Sequence, residues 1–477
     1  MNILAIDQGT SATKALVVGD DGTVLGLAEC PVHPTAIGDG AVEQDPAELL
    51  ASVLAAGRAA LAQAGVVVHG VGFANQGETV LAWDRASGRP LTTALSWQDR
   101  RATSVTDGLG SHRDRLGAIT GLPLDPYFSA PKLAWLRRNR TTEGVVTTSD
   151  TWLLHALTGA FVTDVTTASR SLLLDLDTRD WSDEAVAVFG LDTDDLPDVV
   201  GCATPVGTTT AFGPSLPVTG LAVDQQAALV GEGCLAPGQA KCTYGTGAFL
   251  LVTTGGSPQR STHGLAASVA WEVPGSAAYC LDGQSYTAGA AVTWLISMGL
   301  LGSAEELDAV AATVPDTSAV TVVPALAGLG APYWCPAATG TVEGLDLHTS
   351  PAHVVRATLE GLAAQVTLLA RAAAADLGGP LVELRVDGGL TGSSFLMQHQ
   401  ADLLQVPVEV FASPHATASG VAALARRGLD GAQGAPEVAS PPPAARYEPR
   451  MGASEAAERL ARFATATERA VAAAGGA

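Results

Sequence analysis

Only three lysines occur in the 477 residues: Lys14, Lys132 and Lys241. None follows a glycine, so the chain has no G-x-x-x-x-G-K-[ST] loop, and that class of nucleotide site is excluded. No G-x-G-x-x-G follows a β-like run, which leaves a dinucleotide fold unsupported. Cations are scarce overall, with 26 Lys and Arg against 48 Asp and Glu and a net charge of −22. Nucleic acid and anionic membranes need clustered cations, so neither is an expected partner. No uninterrupted apolar run is long enough to span a bilayer. The apolar N-terminus lacks a basic region and is broken by Asp7, so it reads as a first strand and not as a signal peptide. Six scattered cysteines, Cys30, Cys202, Cys234, Cys242, Cys280 and Cys335, show no C-x-x-C spacing. They read as reduced apolar residues of a cytoplasmic protein.

What is present describes a globular chain, 47% hydrophobic and 16% charged. Its length fits two domains, expected over 1–231 and 232–477. Two glycine-threonine turns stand far apart: Asp7-Gln8-Gly9-Thr10-Ser11-Ala12 and Tyr244-Gly245-Thr246-Gly247-Ala248. Each lies between two short β-rich runs. Glycine at such a corner lets backbone N–H groups approach an anion, and the hydroxyls of threonine and serine add donors. The duplicated strand–turn–strand predicts two related halves facing each other across a phosphate chain.

Asp45 to Ala64 has helical periodicity behind the cap pair Asp45-Pro46. Val67 to Ala74 reads as a strand delivering Asn75-Gln76-Gly77-Glu78 at its C-terminal end. A hairpin around Asp84 to Gly88 follows, and its return strand ends at Trp97. The second half restarts near residue 235 with strands, then helices around 287–299 and 351–377. Leu384 to Asp387 reads as a strand running into the turn Gly388-Gly389. Residues 432–450 read as a surface connector and 454–471 as a helical tail. Alternation in both halves predicts α/β domains with mixed sheets.

Asp224 lies between an apolar strand and an Ala-rich helix, in Val223-Asp224-Gln225-Gln226. A carboxylate there suits a general base for a hydroxyl nucleophile, the alternative being a helix N-cap. Glu78 and Trp97 end two segments and offer a hydroxyl acceptor and an apolar wall, or else a surface acid and a core tryptophan. Trp135 reads as simple packing of a helix on the sheet.

Tyr127 through Asn139 carries an aromatic, Ser129, Lys132, Trp135 and Asn139, and Gly340-Thr341-Val342-Glu343-Gly344-Leu345 is followed by His353 and Ala357-Thr358-Leu359-Glu360. These two blocks resemble the signatures of the FGGY carbohydrate kinases. Asn75-Gln76, Trp97-Gln98-Asp99, Asp224-Gln225-Gln226, Gly328 to Trp334 and Asp387-Gly388-Gly389 are most similar to the glycerol kinases of that family in order and spacing. The resemblance covers essentially the whole chain. It implies the two-domain, actin-like (ribonuclease H-like) α/β ATPase fold, each domain built on a βββαβαβα core and closing over ATP and Mg²⁺.

The resemblance makes Asp224 the catalytic base and Glu78, Trp97, Tyr127, Gln225 and Phe249 the pocket for a small polyol or sugar. Asp7, Gly9, Thr10, Ser11 and Lys14 become the first phosphate loop, with Asp7 reaching Mg²⁺ directly or through water. Thr246, Gly289, Thr293, Gly389 and Ser393 fall at nucleotide-binding positions, although Thr293 and Ser393 stand where an amide is usual. A homodimer is expected. One departure is Gly77, where glycerol kinases carry arginine. Its loss predicts a roomier pocket and a substrate longer than glycerol, unless another cation such as Arg100 or Arg101 replaces it. Competing readings are a ketopentose kinase and a nucleotide-switched binding protein on the actin-like core.

Overall fold

The computed structural model describes residues 1–38, 40–439 and 441–475. Two large mixed sheets organise it. In the first, Ile3–Gln8 runs antiparallel to Ala12–Val18, which is antiparallel to Val24–Pro31. On its other side Ile3–Gln8 is parallel to Gly70–Asn75, which is parallel to Leu216–Val223. The second sheet repeats this plan. Ala240–Tyr244 is antiparallel to Ala248–Gly255 and parallel to Leu384–Asp387, itself parallel to Val408–Val410. The meander continues through Ser276–Ser285 and Ala266–Val273. Each glycine-threonine turn therefore joins the first two strands of one sheet, which is the duplication the sequence predicts.

Both sheets are covered by helices, as parallel strands buried on two faces require. Pro46–Ala64 packs on the first sheet through Leu49, Val53, Ala56 and Ala60, and Asp45 caps it by accepting the N–H of Ala47 at 2.9 Å. A 27-residue helix, Pro351–Leu377, covers the second sheet. The helix Ala416–Asp430 follows the last parallel strand of the second sheet in sequence but packs on the first, against Asp224–Gly231. That crossing depends on glycine. A Cβ on Gly420 would lie 1.8 Å from the Ala227 carbonyl, and one on Gly231 would lie 2.0 Å from the Ala416 carbonyl.

Several elements differ from the sequence expectation. The strand expected from Val67 begins only at Gly70, and Val67 is 76% exposed in the loop ahead of it. Val68, Val71 and Phe73 of the run enter the core, and of its apolar side chains Val67 alone faces outward. The expected return strand before Trp97 shrinks to Ala94–Leu95. The connector at 432–450 is not all loop: Ala445–Tyr447 pairs with Val408–Val410 and covers that sheet edge. Trp135, by contrast, packs as expected, on the apolar cluster that includes Val80, Ala82 and Val146 of a smaller five-stranded sheet. Its half-buried ring lies between the guanidinium groups of Arg101 and Arg140, at 4.8 and 5.5 Å.

Candidate active site

The C-terminal ends of the first sheet's parallel strands and the second glycine-threonine turn face one cavity of about 370 Å³. Thr10, Ser11, Gly77, Glu78, Trp97, Tyr127, Asp224, Gln225, Thr246 and Phe249, all marked out by the sequence, line it together. Asp7 and Lys14 lie just behind, opposite each other on the first two strands. Gly9 closes the first turn through its N–H to the Ala12 carbonyl at 3.0 Å.

Asp224 is the first residue of the helix Asp224–Gly231 and is half-buried, its open side toward the cavity. Its Oδ1 accepts the N–H of Gln225 at 2.7 Å. Capping would use the N–H groups of N2 or N3 from the residue before the helix, and that position is Val223. The cap reading is therefore set aside. Burial, then the nearby charges of Asp7 and Glu78, push the Asp224 carboxyl up to about 7, against the pull of Lys241. A carboxylate that ionises near neutrality is matched to general-base work.

Glu78 is buried with a positive φ of 55°, in the left-handed region that a glutamate rarely adopts. Such strain at the end of a core strand marks a position held for function. Trp97, Tyr127 and Phe249 form an edge-to-face group, with ring centroids of Trp97 5.9 and 6.0 Å from the other two. The indole N–H of Trp97 donates to the Thr10 hydroxyl.

Gly77 does not leave Glu78 without a guanidinium, which corrects the sequence expectation. Neither expected substitute provides it. Arg100 is paired with Asp125 at 2.9 Å, and Arg101 with Asp99 and Glu43. The group comes from Arg170, whose Nε donates to Glu78 Oε1 at 2.7 Å and whose Nη1 pairs with Asp282. Its guanidinium carbon sits 5.7 and 5.3 Å from the ring centroids of Tyr127 and Phe128. Gly77 itself admits no Cβ without movement, since one would lie 2.9 Å from Cγ2 of Val223. Arg170, Asp282 and Gln284 were missed by sequence reasoning. The available signals were a charged residue ahead of the apolar run Leu172-Leu173-Leu174, and two polar residues at alternate positions in the otherwise buried strand Ser276–Ser285.

Four expected nucleotide residues gather around the second turn. The N–H of Gly289 donates to the Gly245 carbonyl at 2.9 Å, setting the start of the helix Gly289–Ser297 against that turn, with Thr246 exposed on its tip. Thr293 lies one turn further along this helix, exposed. Gly389 follows the strand that pairs with Ala240–Tyr244 and is exposed. Ser393 is different. Its hydroxyl caps the helix Ser394–Leu404 and bonds Asp308, so its side chain is occupied within the protein.

The residues fit a Mg²⁺ ion arriving with phosphates. Asp7 is raised to about 6 by burial and by Asp387, with Lys14 opposing. Oδ1 of Asp387 is buried with no hydrogen-bond partner among the described residues. Two carboxylates short of positive charge suit an ion that takes one or two protein ligands plus phosphate oxygens.

Comparison with known proteins decides the family. The model for the N-terminal domain of the FGGY family of carbohydrate kinases matches residues 2–231, and that for the C-terminal domain matches 240–429. The chain belongs to the FGGY carbohydrate kinases. It is 43% identical over 487 residues to a glycerol kinase of Aromatoleum aromaticum, covering 98% of both chains. It is 44% identical over 426 residues to a glycerol kinase of Thermus brockianus, covering 85% of this chain and 86% of that one. The structure of Plasmodium falciparum glycerol kinase with ADP superposes with a TM-score of 0.90 at 30% identity over 98% of each chain. A xylulose kinase from Rhodospirillum rubrum superposes at 0.86 and 24% identity, over 99% of each, and shows the fold alone. This FGGY kinase is an ATP-dependent, Mg²⁺-using enzyme on the actin-like fold that phosphorylates a small polyol or sugar.

Proposed function

We propose that Asp224 deprotonates a terminal hydroxyl of a polyol held between Glu78, Arg170, Tyr127, Trp97 and Phe249. The single observation that carries this is Asp224, raised to about 7, opening into the same cavity as Glu78 and both glycine-threonine turns. The hydroxyl oxygen forms a bond to the γ-phosphorus as the bond from that phosphorus to the bridging oxygen of ADP breaks, and the proton goes to Asp224. Phosphoryl transfer is governed by positioning and charge stabilisation. Thr10, Ser11 and Thr246 supply donors to the phosphates, and Gly289 and Gly389 let the backbone approach the nucleotide. Asp7 and Asp387 hold Mg²⁺, which when bound offsets the phosphate charge.

Glu78 and Arg170 together offer an acceptor and a donor to vicinal hydroxyls, which supports the glycerol-kinase-like arrangement over that of a nucleotide switch. A switch needs no such pocket. We assign the first domain to 1–231 and the second to 232–477, a homodimer as the assembly, and the cytoplasm as the compartment, the last supported by six unpaired cysteines. The test is ADP release from the full chain with Mg²⁺-ATP, with and without polyols. Stimulation by a polyol supports the reading, and stimulation only by ketopentoses would replace it with a ketopentose kinase.

A further inference from the structure

On the strand Ser276–Ser285, Asp282 and Gln284 point to one face, because side chains alternate. Across the ladder they pair with Leu251 and Phe249. These four residues form one wall of the active-site cavity. Three of them have clear roles there. Asp282 pairs with Arg170, and Phe249 and Leu251 are apolar surface. Gln284 has none. It is 1% exposed, and among the described residues neither its Nε2 nor its Oε1 has a hydrogen-bond partner. The Tyr286 hydroxyl, two residues on, is buried and lies near both Gln284 and Arg100, but among the described residues it makes no hydrogen bond of good geometry with either. A buried amide with both ends unbonded destabilises a fold unless something completes it.

In the reading proposed above, one glycerol hydroxyl would react at Asp224 and the other two would meet Glu78 and Arg170. A further hydroxyl on a longer chain is the group that would reach the amide of Gln284. Gly77, on the cavity's lining, adds backbone and no side-chain partner for the amide. We propose that Gln284 is a specificity-determining residue that binds an additional hydroxyl, and that the preferred substrate is a polyol of four or five carbons. The amide offers both a donor and an acceptor, so it matches a hydroxyl, which is both. A site built to bond a hydroxyl disfavours the analogue that lacks it, because its own buried groups are then left unpaired. This inference rests on the polyol-kinase reading above.

The experiment measures ADP release by the full chain over glycerol, tetritols, pentitols and ketopentoses, for wild type and for Gln284→Leu, which keeps size and removes both polar atoms. Wild type is expected to show kcat/KM at least about tenfold higher for its best tetritol or pentitol than for glycerol, the scale of one net hydrogen bond. In Gln284→Leu that ratio is expected to fall about tenfold. The wild-type comparison needs no variant and stands if Gln284→Leu fails to fold. Glycerol as the best wild-type substrate, or an unchanged ratio in a folded Gln284→Leu, overturns the inference and leaves the kinase reading intact. Failure of the whole panel to stimulate ADP release overturns that underlying reading instead.

Discussion

The indole N–H of Trp97 donates to the hydroxyl of Thr10 at 2.8 Å. One bond thus joins the aromatic wall of the cavity, the proposed polyol pocket, to the first glycine-threonine turn, which is further held by Gln44 donating to the Thr10 carbonyl at 2.8 Å. Trp97→Phe keeps an aromatic wall and removes the bond. It is expected to raise KM for both ATP and polyol by about three- to tenfold, as one hydrogen bond warrants. Steady-state kinetics check this, and a rise confined to the polyol would show that the bond does not couple the two sites.

Arg170 holds two buried carboxylates, Glu78 and Asp282, with one guanidinium. Removing one partner from a buried ion pair strands the rest, at a cost of about 3–5 kcal/mol. Arg170→Met is expected to lose stability on that scale in urea unfolding, and to raise KM for the polyol far more than KM for ATP. Equal changes in both constants would place Arg170 outside the pocket's function.

Stability and turnover are expected to move in opposite directions with pH. In the fold Asp224 ionises at about 7, and Asp7, Asp150 and Asp282 at about 6, all raised chiefly by burial from the ordinary 3.8. Between these values the folded chain holds more protons than the unfolded one. The stability this contributes is fully present below the unfolded pKa and is lost as pH rises through the folded values. The Tm of the ligand-free protein should therefore fall between pH 5 and pH 7, read by calorimetry. Turnover should rise over the same interval, because Asp224 must be ionised to accept a proton. A Tm that climbs with turnover would contradict these raised values.

The helix carrying Asp224 is set by its crossing with Ala416–Asp430, where Gly420 meets Ala227 and Gly231 meets Ala416. Gly420→Ala forces the helices apart. Overpacking of this kind costs about 1–3 kcal/mol, and the displacement should lower kcat as well. Chemical denaturation and kinetics read both. Wild-type stability in Gly420→Ala would show that the crossing yields without cost.

The duplicated core was legible in the sequence because each glycine-threonine turn joins two short β-rich runs, and each lands between the first two strands of a sheet. Thr10, Ser11, Gly77, Glu78, Trp97, Asp224 and Thr246 were legible because they end segments or stand beside glycines, whereas Tyr127, Gln225 and Phe249 were legible only through the resemblance to the FGGY kinases. Arg170 was not. It follows the four-residue helix Val165–Ala168 and reaches Glu78 only through the tertiary fold, so nothing near it in the chain announces a partner. Gln284 was overlooked because its alternation with Asp282 marks a polar face on a buried strand but not what that face binds. Val67 misled because β-branched residues favour strands only where a sheet accepts them.

The most direct test of the account is ADP release by wild type and Asp224→Asn, each with Mg²⁺-ATP and a saturating polyol. The amide keeps the shape of the carboxylate but cannot take a proton. The account predicts polyol-stimulated ADP release in wild type and a fall in kcat of about 10²–10⁴-fold in Asp224→Asn, with ADP affinity retained. A variant that keeps more than a tenth of wild-type kcat, or a wild type whose ADP release no polyol or sugar accelerates, would contradict it.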